Sequence, residues 1–267
     1  MMTPYRDQTV LITGASSGIG AELARALAAR GASLVLVARR RDRLETLASE
    51  LRRSHGAVVH VLPADLSSPT AAAEIRAAVD ALGVVVTGLI NNAGFGTFGP
   101  FLDEDPDRLA GELAVDVVAP VQLTAAFLPG IVASGAGLLI NVASMAAFTP
   151  TPRMAVYGAA KAFVLSFTES LWAELRGSGV TVFALSPGAT STEFNAVVGT
   201  EDATAGAAPR TAADVVRTAL SHLESRNPGP SVIDGGGNRL AAGALRLVSR
   251  RHAALLMHRT TDPARRR

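Results

Sequence analysis

Thr13-Gly14-Ala15-Ser16-Ser17-Gly18-Ile19-Gly20 joins a short β-rich run over residues 9–13 to a helical pattern over residues 19–30. Glycines at 14, 18 and 20 let a backbone turn sharply and approach a ligand closely. A helix opening at such a turn presents free amides and the positive end of its dipole, which favours an anion. Taken alone, the loop also reads as a tight turn that binds nothing.

Outward from that loop, β-rich runs alternate with longer helical patterns. The strand patterns cover residues 9–13, 33–38, 58–62, 87–90, 137–142, 180–185 and 231–233. The helical ones cover 19–30, 41–54, 70–82, 106–131, 153–176 and 212–224. Several runs are apolar throughout, as in strands covered on both faces. This order predicts one α/β domain over residues 1–235: a doubly wound, mostly parallel, seven-stranded sheet flanked by helices, binding ligands at the strands' carboxyl ends. Residues 193–210, rich in alanine, glycine and threonine, follow a strand end and are expected to form a mobile lid.

The 267 residues include no cysteine, which excludes disulfide frameworks, thiolate metal sites and a cysteine nucleophile. No metal is expected. No uninterrupted apolar run approaches the ~18 residues of a membrane span, and the start shows no secretory signal. A soluble, cytoplasmic protein is the expectation. The net charge of +2 hides an asymmetry: from Arg239 onward there are eight arginines and one acid, Asp262. The basic tail, 236–267, is expected to be partly helical with a loose end, placing Arg239, Arg246 and Arg250 on one helical face and Leu240, Leu247 and Val248 elsewhere. A mildly acidic body argues against a nucleic-acid footprint, while the tail leaves open peripheral contact with a membrane or an anionic partner.

The ends of the next strands discriminate further. An NAD site usually carries an acid after the second strand, for the ribose 2′-hydroxyl. Here the chain reads Val37-Ala38-Arg39-Arg40-Arg41. Without a carboxylate, Arg39 or Arg40 can clamp a 2′-phosphate, so NADP(H) is preferred and NAD(H) remains possible; arginines merely solvated at a helix start are the alternative. Asp65-Leu66 follows the third strand and Asn91-Asn92-Ala93-Gly94 the fourth. Asp65 suits an adenine edge or, equally, a helix N-cap. Asn91 suits a backbone contact near the ribose or a simple Asx turn.

After the fifth strand comes Ser144, and thirteen residues later a helix carries Tyr157-Gly158-Ala159-Ala160-Lys161. Residues four apart share a helix face. A nearby ammonium favours phenolate, drawing the tyrosine pKa from about 10 towards neutrality and making Tyr157 a candidate general acid/base. Ser144 can hydrogen-bond a carbonyl or alcohol oxygen. Lys161 is the only lysine among 25 basic residues, and the other tyrosine, Tyr5, lies near the start. Packing or solvation accounts for each residue singly; their joint occurrence with the glycine loop resists that account.

With these motifs in this order, the chain resembles the short-chain dehydrogenase/reductases, NAD(P)-dependent oxidoreductases with a Rossmann-type fold. The likeness runs from about Thr9 to Ile233. Gly14, Ser16, Ser17, Gly18, Ile19 and Gly20 resemble that family's cofactor loop, Asn91, Ala93 and Gly94 its N-N-A-G element, and Ser144, Tyr157 and Lys161 its catalytic trio. Pro187, Gly188, Thr190 and Thr192 resemble the segment that closes over the nicotinamide. The resemblance implies hydride transfer between NADPH and a carbonyl carbon, with Tyr157 protonating the alkoxide, Ser144 positioning the oxygen, and Lys161 binding the ribose and lowering the Tyr157 pKa. It also implies a homodimer or homotetramer formed through the long helices. The family commonly has an asparagine where this chain has Asp116, which can pair with Lys161 and oppose part of that pKa shift.

Phe95, Phe98, Phe101, Leu102, Met145, Phe148, Met154, Phe194, Val197 and Val198 suggest an apolar pocket for a small ketone, aldehyde or alcohol, or else ordinary packing. No arginine is obviously placed to hold a substrate carboxylate, and Arg153 is the remaining candidate. A dinucleotide-binding sensor or scaffold without turnover is the competing reading, with Asp116 as its support.

Overall fold

The computed structural model describes residues 5–200 and 208–262. Part of the expected lid and the end of the tail therefore lie outside the described residues.

The apolar runs form the strands β1 (Thr9–Thr13), β2 (Ser33–Ala38), β3 (Val59–Pro63), β4 (Gly88–Asn91), β5 (Gly137–Val142), β6 (Val180–Ser186), β7 (Thr190–Ser191), β8 (Arg210–Thr211) and β9 (Ser231–Ile233). Seven of them make one sheet in the order β3-β2-β1-β4-β5-β6-β9, with every pairing parallel. β7 and β8 pair separately as a short parallel ribbon.

The helices are α1 (Gly18–Ala28), α2 (Arg41–His55), α3 (Ala71–Ala81), α4 (Pro106–Leu113), α5 (Ala119–Ala133), α6 (Ala155–Glu174), α7 (Phe194–Val198), α8 (Ala212–Leu223), α9 (Gly236–Leu245) and α10 (Arg250–Thr260). Successive strand residues point to opposite faces, and β1 shows the result. Val10 and Ile12 pack with Leu23 and Leu27 of α1, Leu44 of α2 and Leu220 of α8. Leu11 packs on the other face with Ile75 of α3 and Leu123 and Phe127 of α5.

Three expectations change. The helical stretch over 106–131 is not uniform: a π-helical turn, Ala114–Val118, separates α4 from α5. By length and composition the whole run, Pro106–Ala133, would suffice to cross a membrane, but Leu123, Phe127 and Ile131 pack on the sheet and Glu112 and Asp116 are buried. It has the pattern of a core helix. The lid is not simply a loop either, because residues 194–198 form α7. Lastly, the tail does not carry Arg239, Arg246 and Arg250 on one helix. α9 ends at Leu245, and Ser249 caps α10 by accepting from the His252 amide at 3.4 Å.

The tail docks on the body. Ala253 and Thr261 are buried, and Arg153, at φ 67°, reaches Asp262 Oδ1 at 3.4 Å and donates to Thr261 Oγ1 at 3.4 Å. Tyr5 is likewise tied down, donating to Glu224 Oε1 at 2.9 Å.

Candidate active site

Between β1 and β4 the strand order reverses, and at such a switch point the carboxyl ends of neighbouring strands open a crevice. The Gly14–Gly20 loop lies on that edge. Gly14 has φ +65°, where only glycine sits without strain, and a Cβ there would lie 2.8 Å from both Ala93 Cα and Asn92 Nδ2. Asn92 clips the two segments together: its Nδ2 donates to Thr13 O at 2.9 Å and Gly14 O at 3.3 Å, while Thr13 Oγ1 accepts from the Asn92 and Ala93 amides at 3.0 Å. Ser16, Ser17 and Gly18 line the turn, Ile19 packs on the core, and Gly20 backs onto Gly14 O. Across the turn, Thr192 methyl carbon lies against Gly18, so the Pro187–Thr192 segment faces the loop. The Met145 amide donates to Pro187 O at 2.8 Å, tying that segment to the turn that follows Ser144.

Two assigned residues face elsewhere. Asn91 is buried in the sheet: its Nδ2 donates to Asn141 Oδ1 at 2.8 Å and Thr124 Oγ1 at 3.2 Å, and Asn141 Nδ2 donates to Thr168 Oγ1 at 2.8 Å. Its side chain is spent on the interior, and Asn92 is the neighbour that meets the loop. The Leu66 side chain belongs to the core, leaving only its backbone for a ligand. Asp65 accepts from the Ser67 amide at 3.0 Å and hydroxyl at 2.8 Å. Those bonds, with the charge of Arg39, hold its carboxyl below the usual range.

Arg39 is exposed, whereas Arg40 is engaged. Its guanidinium donates to Ser16 Oγ at 3.0 Å, Ser17 Oγ at 3.1 Å and Glu193 Oε2 at 2.7 Å. Arg43 holds the other Glu193 oxygen at 2.6 Å. The Arg40 hydrogen bond, assisted by Ser17 and Arg43, lowers the Glu193 pKa to about 2. The sequence reading passed over Glu193 because its partners lie some 150 residues away.

Ser144, Tyr157 and Lys161 come together at the carboxyl end of β5. Lys161 is buried; its Nζ donates to Val142 O at 3.3 Å, pairs with Asp116 Oδ2 at 3.2 Å and lies 5.5 Å from the Tyr157 ring centroid. Asp116 sits on the π-helical turn, whose extra residue re-aims side chains relative to an α-helix, and its Oδ1 accepts from the Phe95 amide at 3.1 Å. Gly94 is squeezed against this pair: a Cβ there would lie 2.9 Å from both Asp116 Oδ1 and Lys161 Nζ. Burial raises the Asp116 pKa despite Lys161. For Lys161, burial opposes the charge, but Asp116 and Tyr157 outweigh it and the pKa rises.

Tyr157 departs from expectation. Burial pushes its pKa up, and Asp116 and Glu112 push it further, so the pull of Lys161 and the hydrogen bond with Ser144 do not bring it towards neutrality. The single ammonium is largely neutralised by its own partner.

The apolar residues divide. A Cβ on Gly96 would meet Tyr157 Cδ2, Met154 Cε and Phe194 Cζ at 3.1–3.3 Å, so these three side chains share one wall. Phe194 packs on the Tyr157 ring with centroids 5.3 Å apart. Phe101, Leu102 and Val197 are exposed.

A parallel sheet with a glycine loop at its switch point defines the dinucleotide-binding class of α/β proteins. Residues 8–203 match the family model for short chain dehydrogenases. A short chain dehydrogenase of Pseudocercospora fijiensis is 40% identical over 193 residues, covering 72% of this chain and 62% of that protein. Sulfoacetaldehyde reductase 2 of Chromohalobacter salexigens is 39% identical over 194 residues, covering 70% and 75%. A short-chain dehydrogenase from Sphingobium yanoikuyae, solved in complex with NADPH, superposes with a TM-score of 0.80 at 35% identity, covering 90% and 93%. The chain belongs to the short-chain dehydrogenase/reductase family.

Proposed function

We propose that this chain interconverts a carbonyl and an alcohol by hydride transfer with NADP(H), and that residues 1–235 are the oxidoreductase domain with the tail docked on it. The observation that carries the reading is the meeting of Ser144, Tyr157 and Lys161 beside Gly94 at the switch point.

The residues present fit a dinucleotide. Gly14, Gly18 and Gly20 let a ligand approach the backbone closely at a turn that opens onto α1, where a pyrophosphate gains free amides and the helix dipole. Arg40, with Arg39 beside it, suits a 2′-phosphate bidentately. The Sphingobium yanoikuyae relative was solved with NADPH, which supports the same preference here. When bound, the nicotinamide supplies or accepts the hydride. The Ser144 hydroxyl hydrogen-bonds the substrate oxygen, and the Tyr157 hydroxyl gives that oxygen its proton in reduction, while the Tyr157 phenolate takes it in oxidation. Lys161 stabilises the phenolate that results, and Asp116 holds Lys161 charged and in place.

An apolar substrate fits the wall formed by Met154, Phe194 and Tyr157. The sulfoacetaldehyde reductase acts, by its name, on an anion, but Arg153, the arginine the sequence left as a candidate for one, is bound to Asp262 and the tail. For the homo-oligomer the exposed Leu113 at the end of α4, Val118 on the π-helical turn and Phe163 on α6 are the candidate contacts.

Consumption of NADPH with a panel of apolar ketones and aldehydes tests the reading. Turnover lost in Tyr157→Phe supports it. Tight NADPH binding with no turnover over the panel would replace it with a sensor or scaffold.

A further inference from the structure

Two carboxylic acids stand behind Lys161, and pairing it needs only one. Glu112, in the last turn of α4, and Asp116, on the π-helical turn, are both fully buried. Asp116 has Lys161 and the Phe95 amide as partners. Neither oxygen of Glu112 completes a hydrogen bond within the protein, although the buried Thr97, through its hydroxyl and amide, favours the charge in part. A buried carboxyl supported only by Thr97, and by no cation of its own, adds little to stability, and replacing such a group by an apolar side chain is often neutral or favourable. Its presence calls for a reason other than packing.

The charges of the pocket supply one. Lys161 provides a single positive charge against two acids. With both ionised, the pocket holds surplus negative charge next to the Tyr157 hydroxyl, and like charges oppose further ionisation. The charged and titratable groups acting on Tyr157 are Lys161 on its own helix, Asp116 from the π-helical turn and Glu112 from α4. Those acting on Glu112 are Asp116, Glu104 from the segment before α4, and in return Lys161 and Tyr157 of α6, on which its own charge acts.

Resting on the reading of Tyr157 as the acid/base group, we propose that Glu112 is a positioning residue for it: the protonation state of the Glu112 carboxyl, acting with the Asp116–Lys161 pair, sets how readily the Tyr157 hydroxyl ionises. While Glu112 holds its proton, Asp116 alone balances Lys161 and the phenol ionises more easily. Once Glu112 is charged, the phenol holds its proton more tightly. Burial and the neighbouring Asp116 push the Glu112 pKa up to about 7, which places this change near neutral pH.

The test reads Tyr157 without substrate or turnover. The chain has two tyrosines, so Tyr5→Phe leaves Tyr157 as the only phenol. Its ionisation is followed by tyrosinate absorbance in the ultraviolet, within milliseconds of a jump in pH and ahead of alkaline unfolding. In that background Glu112→Gln lowers the midpoint by about half a unit or more, roughly threefold more phenolate between about pH 7, above which the parent's Glu112 is charged, and the midpoint. Glu112→Leu gives the same fall and carries the test if the glutamine variant does not fold. A midpoint that stays within half a unit of the parent, or rises, overturns the proposal, even if the variant is less stable. If the midpoint falls but no carbonyl compound is turned over, this coupling stands and the proposed function fails.

Discussion

Arg40 Nη2 lies 2.7 Å from Glu193 Oε2, so the carboxylate just before α7 occupies the guanidinium proposed to meet a 2′-phosphate. Arg43 holds the other oxygen of the same carboxylate. With its pKa lowered to about 2, chiefly by Arg40, Glu193 remains a charged competitor at every physiological pH.

On the proposed NADP(H) reading, removing that carboxylate is expected to favour the phosphorylated cofactor selectively. Glu193→Gln is expected to tighten NADPH binding by about two- to fivefold, the worth of one exposed ion pair, with a smaller change for NADH. Fluorescence titration of both cofactors measures it. Equal gains for the two would show that Arg40 does not receive the 2′-phosphate.

Tyr157→Phe removes the proton and keeps the ring that packs on Phe194. Turnover is expected to fall by at least about a hundredfold while the Kd for NADPH stays within about threefold. Steady-state kinetics beside a binding titration separates the two effects.

Breaking the Lys161–Asp116 pair strands a buried charge. Asp116→Ala is expected to cost about 3–5 kcal/mol of stability, the usual penalty for removing one partner of a buried pair. Urea unfolding at fixed pH gives the value, and a loss under about 1 kcal/mol would mean that Lys161 finds another partner.

Glu112 gives stability a pH dependence of definite sign. Its pKa rises from the ordinary 4.5 to about 7 in the folded protein. Between those values the folded state keeps a proton that the unfolded chain releases, so stability falls as pH rises through that window. The parent is expected to lose up to about 3 kcal/mol from this group between its two pKa values. Glu112→Gln lacks that loss, and the stability difference between variant and parent, followed by urea unfolding across the window, should grow in the variant's favour as pH rises.

Arg153 pins the tail through Asp262 and Thr261. Arg153→Ala is expected to expose α10, and brief trypsin digestion should then cut at Arg250, Arg251 and Arg259 faster than in the parent. An unchanged digestion pattern would place the anchoring in the buried Ala253 instead.

Much of the molecule could be read from the residues in order. Apolar runs of strand length, helical periodicity between them and the glycine turn are local patterns, so the parallel α/β architecture followed from neighbours along the chain. The four-residue spacing of Tyr157 and Lys161 placed them on one helix face for the same reason. Tertiary structure decided the rest. Which member of Asn91-Asn92 meets the glycine loop depends on the face Asn91 presents at the end of β4 and on the chain leaving the strand at Asn92. That Asp116 points at Lys161 depends on a π-helical turn, and that Tyr157 is harder, not easier, to ionise depends first on its burial and then on the carboxyls of Asp116 and Glu112, from that turn and from α4. Arg40 meets Glu193, and Arg153 meets the tail, only because the fold brings together residues far apart in the chain. Burial and through-space charge act between groups whose separation no spacing rule records, so backbone pattern is written in the sequence while the electrostatics of the site arise only on folding.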